Sequence, residues 1–507
     1  MTGTNAGADS LTCLRGGTIF TFDDEYTVFE DGELWLSGNQ ILSVGPRGTY
    51  QPLHDRITYI DTSGRMIVPG LINAHTHSYS ALLKGSVESE PLDIYMLSVI
   101  AAGAAMTPRE IYVSAQLDAL AMLHTGVTSA IDHYSERPAL SREGLGAVRS
   151  AFEEIGMRAT IATMFADRPY IDTIPVDRKM LPPETVAAAE DLPVPDAAAY
   201  FDIMEDAVSG DAKDARVRVI LGVDGPQRCS DLLMEMTGDF QQRHHCGLHT
   251  HMLETKTQAA MRPAGGPGFV RRMADLGILD GNSSLVHFVW SDEDDIAAAA
   301  ETGVTVVHSP TSNAMLGAGL APILRLRAAG IPVAYGTDGS NCGPPALLES
   351  MRTGCYLMRL TEPDFEQWPD AQTILSESYS AGARAVGRAG EIGVLRPGAR
   401  ADLTVFNPVD HWHQPLGDPY RHLLYYENGA STEHVWVDGR QVVKDRRLTT
   451  IDETALIAEA KEIVLRRRGD ASAAAMTAVE AQYPAFRQMI LDNFADDIGI
   501  ERRISIS

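Results

Sequence analysis

The stretch Pro69-Gly70-Leu71-Ile72-Asn73-Ala74-His75-Thr76-His77 is a short apolar run that ends in two histidines one residue apart. In a β-strand residues i and i+2 point to the same side, so both imidazoles can reach one metal ion from the strand's carboxyl end. Three later segments also turn polar where an apolar run stops. They are Gly247-Leu248-His249-Thr250-His251 with Glu254 three residues on, Ser284-Leu285-Val286-His287, and Val333-Ala334-Tyr335-Gly336-Thr337-Asp338.

These segments belong to a longer alternation of short apolar runs with helix-length stretches, the pattern of βα units. Eight strands are predicted, at 67–74, 127–131, 158–164, 217–223, 247–251, 284–289, 304–308 and 332–336. Eight parallel units imply a closed (β/α)8 barrel of the α/β class, with chemistry gathered at the carboxyl face of its strands. Residues 11–66 and 397–450 read as β-rich and are expected to share one small sandwich, leaving 67–396 as the barrel and 451–507 as a helical extension. In that extension Leu456, Ile457, Ala460, Ile463 and Val464 recur at helical spacing. Residues 167–196, rich in Pro and Asp, make a long connection on the barrel's carboxyl side, read as a lid over a substrate.

The net charge of -26 argues against a nucleic-acid partner, which needs clustered Lys and Arg. The one dense basic run, Arg466-Arg467-Arg468, is read as a helix end facing solvent. Five scattered cysteines without a Cys-x-x-Cys pair fit a reducing compartment, and no apolar run approaches a membrane span of about 18 residues. Met1 to Ser10 lacks the charged-then-apolar pattern of a signal peptide, so a cytoplasmic protein is expected.

The ordered set His75, His77, His251, His287 and Asp338, with the phrases His308-Ser309-Pro310-Thr311-Ser312-Asn313 and Ala401-Asp402-Leu403-Thr404-Val405-Phe406, resembles the amidohydrolase superfamily. The likeness covers residues 10–465 and is to the deaminase and chlorohydrolase branch: cytosine, guanine and S-adenosylhomocysteine deaminases and triazine hydrolases. It implies the same barrel with a sandwich built from both chain ends, a small heterocyclic substrate, and a homodimer or larger homo-oligomer.

Imidazoles plus one carboxylate suit one divalent cation, zinc first and ferrous iron second. Two-metal relatives carry a bridging lysine at the end of the fourth strand, where this chain has Gly222-Val223-Asp224-Gly225-Pro226. One ion is therefore expected, held by His75, His77, His251 and Asp338. Such an ion lowers the pKa of its water to about 7. By carry-over from the family, Asp338 takes the water's proton, Glu254 shuttles protons between ring nitrogen and leaving group, and His287 hydrogen-bonds the attacking or departing group. His249, deeper in its strand, is read as a bystander; His133 and His308 either line the pocket or bond a loop.

For substrate contacts the sequence offers Asp224, Gln227, His308, Thr311 and Asn313 as hydrogen-bonding groups, and Trp290, Tyr95 and Phe288 as an apolar wall. Each aromatic is equally a core residue. Arg228 either binds an anionic substituent or pairs with Asp231. Many nucleoside-type deaminases end the fourth strand in His-Ala-Pro, and Asp224-Gly225-Pro226 departs from that, which counts against an adenosine-like substrate. The expected reaction is deamination of a nitrogen heterocycle, or displacement of chloride from one. The alternatives are hydrolysis of an exocyclic amide, urea or carbamate, and a non-catalytic scaffold of the same fold.

Overall fold

The computed structural model describes residues 11–52, 56–86, 90–102, 106–190, 195–212, 214–262, 266–467 and 470–503. The expectations for Met1 to Ser10, Arg468 and residues 191–194 of the lid segment lie outside these.

Eight parallel strands form the barrel: β1 (Leu71–His77), β2 (Val127–Tyr134), β3 (Arg158–Phe165), β4 (Val217–Val223), β5 (Leu248–Met252), β6 (Ser283–His287), β7 (Thr305–His308) and β8 (Val333–Tyr335). Each pairs with the next, and the ring closes where Asp338 and Gly339, just past β8, pair with Thr76 and His77 of β1. Gly336 makes that closure possible, because a Cβ there would lie 2.7 Å from the Cβ of His75.

Side-chain parity sorts the strands. Val219, Leu221, Leu285, Val306 and Val333 face outward into the layer under the helices. Ile72, Ala74, Ile131, Ala162, Ile220, Val286, Val307 and Ala334 form a separate cluster that fills the barrel interior. Along β1, Ile72 and Ala74 already face inward, so strict alternation would turn His75 and His77 out. The β1–β2 register slips between Asn73 and Thr76, a bulge that reverses the parity and brings both histidines inside.

The second sheet takes Leu11–Phe20, Val28–Ser37, Gln40–Pro46, Ile57–Asp61 and Met66–Pro69 from one end of the chain. Leu403–Phe406, Thr432–Val437, Arg440–Lys444 and Arg447–Leu448 come from the other. The run read as one strand at 67–74 is thus two, one in each sheet, joined at Gly70, where a Cβ would collide with Thr128. The sheets are tied by Arg158, buried with Nε 2.7 Å from Asp402 Oδ2 and Nη2 3.1 Å from both Asp402 Oδ1 and Asp438 Oδ1. Asp402→Ala removes the bidentate partner of a buried guanidinium and leaves it with Asp438 alone, so urea unfolding should show a loss of up to about 3–5 kcal/mol.

Past the sheet, helices Glu453–Arg467 and Asp470–Ala495 complete the chain. Leu456, Ala460 and Ile463 are buried as the helical spacing requires. Arg466 is exposed, as the solvent-facing reading expects, and Arg467 is half-buried; both donate to Glu110. Phe486, Met489 and Ile490 of the last helix pack with Ile94, Ile174 and Leu181, forming a roof over the carboxyl face of the barrel that includes part of the 167–196 segment. All five cysteines are unpaired, and among the described residues no helix is long and apolar enough to cross a membrane.

Candidate metal and catalytic centre

At the carboxyl face His75, His77, His251, His287 and Asp338 converge. Asp338 Oδ1 lies 3.5 Å from His75 Nε2 and 3.3 Å from His77 Nε2, and His77 Nε2 is 3.3 Å from His251 Nε2. Ligand atoms of His75, His77 and His251 all lie within 4.8 Å of one another, as do those of His75, His287 and Asp338. Asp338 and His287 are held at φ 62° and 72°, the left-handed region that costs a non-glycine residue about 1–3 kcal/mol and recurs at functional sites.

The surroundings fix which ring nitrogen is free. His77 Nδ1 donates to the carbonyl of His133 at 2.7 Å and His251 Nδ1 to that of Asp224 at 2.7 Å, leaving the Nε2 lone pair of His77 toward Asp338 and that of His251 toward His77 Nε2. His75 Nδ1 is 2.8 Å from His249 Nε2, and His249 Nδ1 is 2.6 Å from Ser284 Oγ. Read as a relay, His75 donates to His249 and His249 to Ser284, so His75 Nε2 also presents a lone pair. That atom is buried without a hydrogen-bond partner. The imidazole lone pairs of His75, His77 and His251, with the Asp338 carboxylate 3.5 and 3.3 Å from the first two, are a donor set that fits Zn2+ or Fe2+. Burial works against the charge on Asp338, yet the neighbouring histidines hold its carboxyl well below the usual range. Burial likewise opposes protonation of His251, but Asp224, Glu254 and Asp338 keep it above its ordinary value, the mark of a site with surplus negative charge.

His249 is therefore not a bystander in geometry: it stands behind His75 as an orienting partner. Its signal was present in the sequence, because it shares the inward parity of His251. His249→Ala should weaken metal binding by about 10–100-fold in a chelator competition, the usual effect of losing such a partner.

Glu254 Oε2 lies 3.6 Å from His287 Nε2 and, from the other side, Asp338 Oδ2 lies 3.9 Å from the same nitrogen. Burial and the charge of Asp338 push the Glu254 carboxyl up to about 8. Burial takes His287 down to about 4, so it is neutral. Its Nδ1 is 2.9 Å from Asn313 Oδ1, and Ser312 Oγ donates to Asp338 Oδ2 at 2.6 Å. Asn313, read as a substrate contact, instead orients His287. Two further buried carboxylates had no sequence signal. Asp132 accepts from Ser78, and Asp118 accepts from Thr76 and Ser340, which ties β1 to the strand end that carries Asp338.

These groups open into a cavity of about 770 Å³, its mouth included. Asp224, Gln227, Tyr95, Arg228, Glu254 and His287 line it, together with Asp93 and Tyr170. Trp290, His308, Thr311 and Phe288 do not. Trp290 is buried, with Nε1 donating to the carbonyl of Ala318. Val307 points into the barrel, so His308 points out and lines a smaller cavity with Asn313 and Gly354. Phe288 is core. His133 sits inside the histidine cluster, its ring 4.6 Å from that of His251. Arg228 pairs with Asp224, while Asp231 pairs with Arg272. Asp224 is thereby held down to about 2 despite its burial, and it is engaged rather than free to read a ring edge.

Several known proteins share this architecture. A 5-methylthioadenosine/S-adenosylhomocysteine deaminase of Pelotomaculum thermopropionicum is 29% identical over 456 residues, 89% of this chain and 98% of that one. A 5'-deoxyadenosine deaminase of Methanosarcina mazei is 26% identical over 452 residues, covering 89% of this chain and 96% of that one. Among solved structures, an adenosine deaminase from Xanthomonas campestris with bound zinc superposes with a TM-score of 0.78 at 24% identity, covering 90% of this chain and 98% of that one. An atrazine chlorohydrolase from Arthrobacter aurescens complexed with zinc gives 0.79 at 24% identity, over 89% and 100% of the two chains. The profile of the Amidohydrolase family matches residues 66–442, which spans the barrel with parts of the second sheet, and the chain belongs to that family.

Proposed function

We propose that this protein is a metal-dependent aminohydrolase that removes ammonia, or another leaving group such as chloride, from an amidine-like carbon of a nitrogen heterocycle. The observation that carries this reading is a buried Glu254 carboxyl 3.6 Å from His287 Nε2, beside the cluster of His75, His77, His251 and Asp338; burial and the charge of Asp338 push that carboxyl up and favour its protonated form. The deaminase and chlorohydrolase relatives support the substrate class.

His75, His77, His251 and Asp338 hold one divalent ion, zinc in preference to ferrous iron, in line with the zinc bound in two similar structures. When bound, the ion supplies the Lewis acidity that makes water nucleophilic near neutral pH. Asp338 accepts one proton of the attacking water. His287, donating Nδ1–H to Asn313, uses its Nε2 lone pair to accept the remaining O–H and so orients the attack. Glu254 gives its proton to the ring nitrogen as the C–O bond forms. The proton on Asp338 then goes to the departing amine and the hydroxyl proton to Glu254, so ammonia leaves, the carbonyl forms and both carboxyls return to their starting states.

The same assignment sets a pH profile. Glu254 must be protonated to act, so kcat/KM should fall as pH rises through the Glu254 value, at about 8 or lower once a cation offsets Asp338. A rate independent of pH from 6 to 9 would contradict this.

The decisive assay follows ammonia from a panel of aminated and chlorinated heterocycles, with ureas and carbamates as controls. Ammonia or chloride from heterocycles alone is expected; turnover of the controls alone would replace this reading with amide-type hydrolysis. The unpaired cysteines support a cytoplasmic setting. A homodimer or larger assembly, which the family resemblance implies, is to be checked by light scattering.

A further inference from the structure

Asp93 is a buried carboxylate with no part in the reaction just described. It lies on helix Leu92–Ala102, on the roof side of the cavity, and lines the same space as Glu254 and Asp338. Thr257 Oγ1 donates to its Oδ2 at 2.9 Å, the Tyr170 hydroxyl lies 3.5 Å from Oδ1, and Asp93's own backbone N–H in the first turn of the helix adds a further donor. Among the described residues no arginine, lysine or histidine pairs with it. Buried carboxylates are ordinarily matched by a cation or by several strong donors. Arg228, the one arginine among the described residues that line the cavity, is committed elsewhere, paired with Asp224 and lying over the Tyr170 ring at 5.3 Å.

Apart from the metal, the cavity therefore presents, among its described lining residues, a carboxylate held only by hydroxyl and backbone donors and no side-chain cation left free to pair with it. Apolar side chains, among them Leu92, Met96 and Ile174, surround it, so a charge placed there is poorly screened. A ligand hydroxyl would add a third hydroxyl donor and leave the charge unbalanced, whereas an ammonium group would balance it.

We propose that Asp93 is a specificity-determining residue that receives an alkylammonium substituent of the heterocyclic substrate, and that the site selects aminated side chains over carboxylated ones. This rests on the aminohydrolase reading only for the heterocycle, not for the ammonium subsite.

The test uses the metal-loaded full chain, wild type and Asp93→Asn, with matched metal content. Calorimetric titrations compare 9-(3-aminopropyl)adenine, 9-(3-hydroxypropyl)adenine and 9-(2-carboxyethyl)adenine. The amine should bind wild type at least about tenfold more tightly than the alcohol, a gap of one charged contact, and the carboxylate most weakly. Asp93→Asn should erase the amine's advantage. In parallel, butylammonium and butyrate probe the subsite without a ring: butylammonium should raise the unfolding temperature of wild type but not of Asp93→Asn, and butyrate of neither. An amine preference that survives Asp93→Asn, equal binding of the carboxylate, or a butylammonium effect that is absent or shared by both proteins overturns the proposal. If no adenine binds but the butylammonium effect is present and confined to wild type, the adenine ring is discarded and the Asp93 subsite stands.

Discussion

Glu254→Gln is expected to lower kcat by about 10²–10⁴-fold, the usual worth of a positioned general acid–base group, while metal content stays unchanged. The substitution keeps the shape, and the backbone N–H of Glu254 still donates to Gln258 Oε1 at 2.8 Å. Only the exchangeable proton is removed. The ring nitrogen then develops negative charge as the C–O bond forms, and the hydroxyl proton is left with only the weakly basic Nε2 of His287 to receive it on its way out. Asp338 is occupied with the first proton, and neutral His287 is tied to Asn313. Steady-state rates with elemental analysis of the same preparation check this. Full activity in Glu254→Gln would remove the residue from the chemistry, and lost metal would show that its role is structural.

His251→Ala is expected to lower metal affinity by more than the about 10–100-fold that follows from an outer partner such as His249, and activity with it. His251 Nε2 faces His77 Nε2 at 3.3 Å, and its ring is oriented by the Asp224 carbonyl. Deleting it leaves His75, His77 and Asp338 to satisfy a cation that prefers four ligands. Metal titration should show the deficit, with activity partly restored by excess zinc. Unaltered affinity would mean that the ion, if any, lies elsewhere.

What could be read from the sequence follows the physics of strands. All eight barrel strands were legible because buried parallel strands appear as short apolar runs, and the ligands were legible because they stand where those runs stop. Parity was the weak point. The bulge after Asn73 and the left-handed backbone at His287 both turn side chains inward against simple alternation, and no propensity announces either. His308 was misplaced for the converse reason: it is a strand-end histidine in a promising phrase, but alternation from Val307 turns it outward. Asn313 and Asp224 were read as substrate contacts since their polarity was visible, whereas their partners, His287 and Arg228, are supplied only by the fold. Asp93 could not be found at all. It sits on an ordinary helix, and what makes it unusual is that, among the described residues, no cation stands beside it once the roof formed by Ile94, Ile174 and Phe486 is assembled.

The most direct measurement is elemental analysis of the full chain purified without added metal or chelator, alongside His75→Ala, His77→Ala, His251→Ala and Asp338→Ala. One divalent ion per wild-type chain, sharply depleted in all four variants, is the expected result. An unmodified protein that holds no ion and takes none up, or four variants that retain it in full, would contradict the assignment of these side chains to a shared cation.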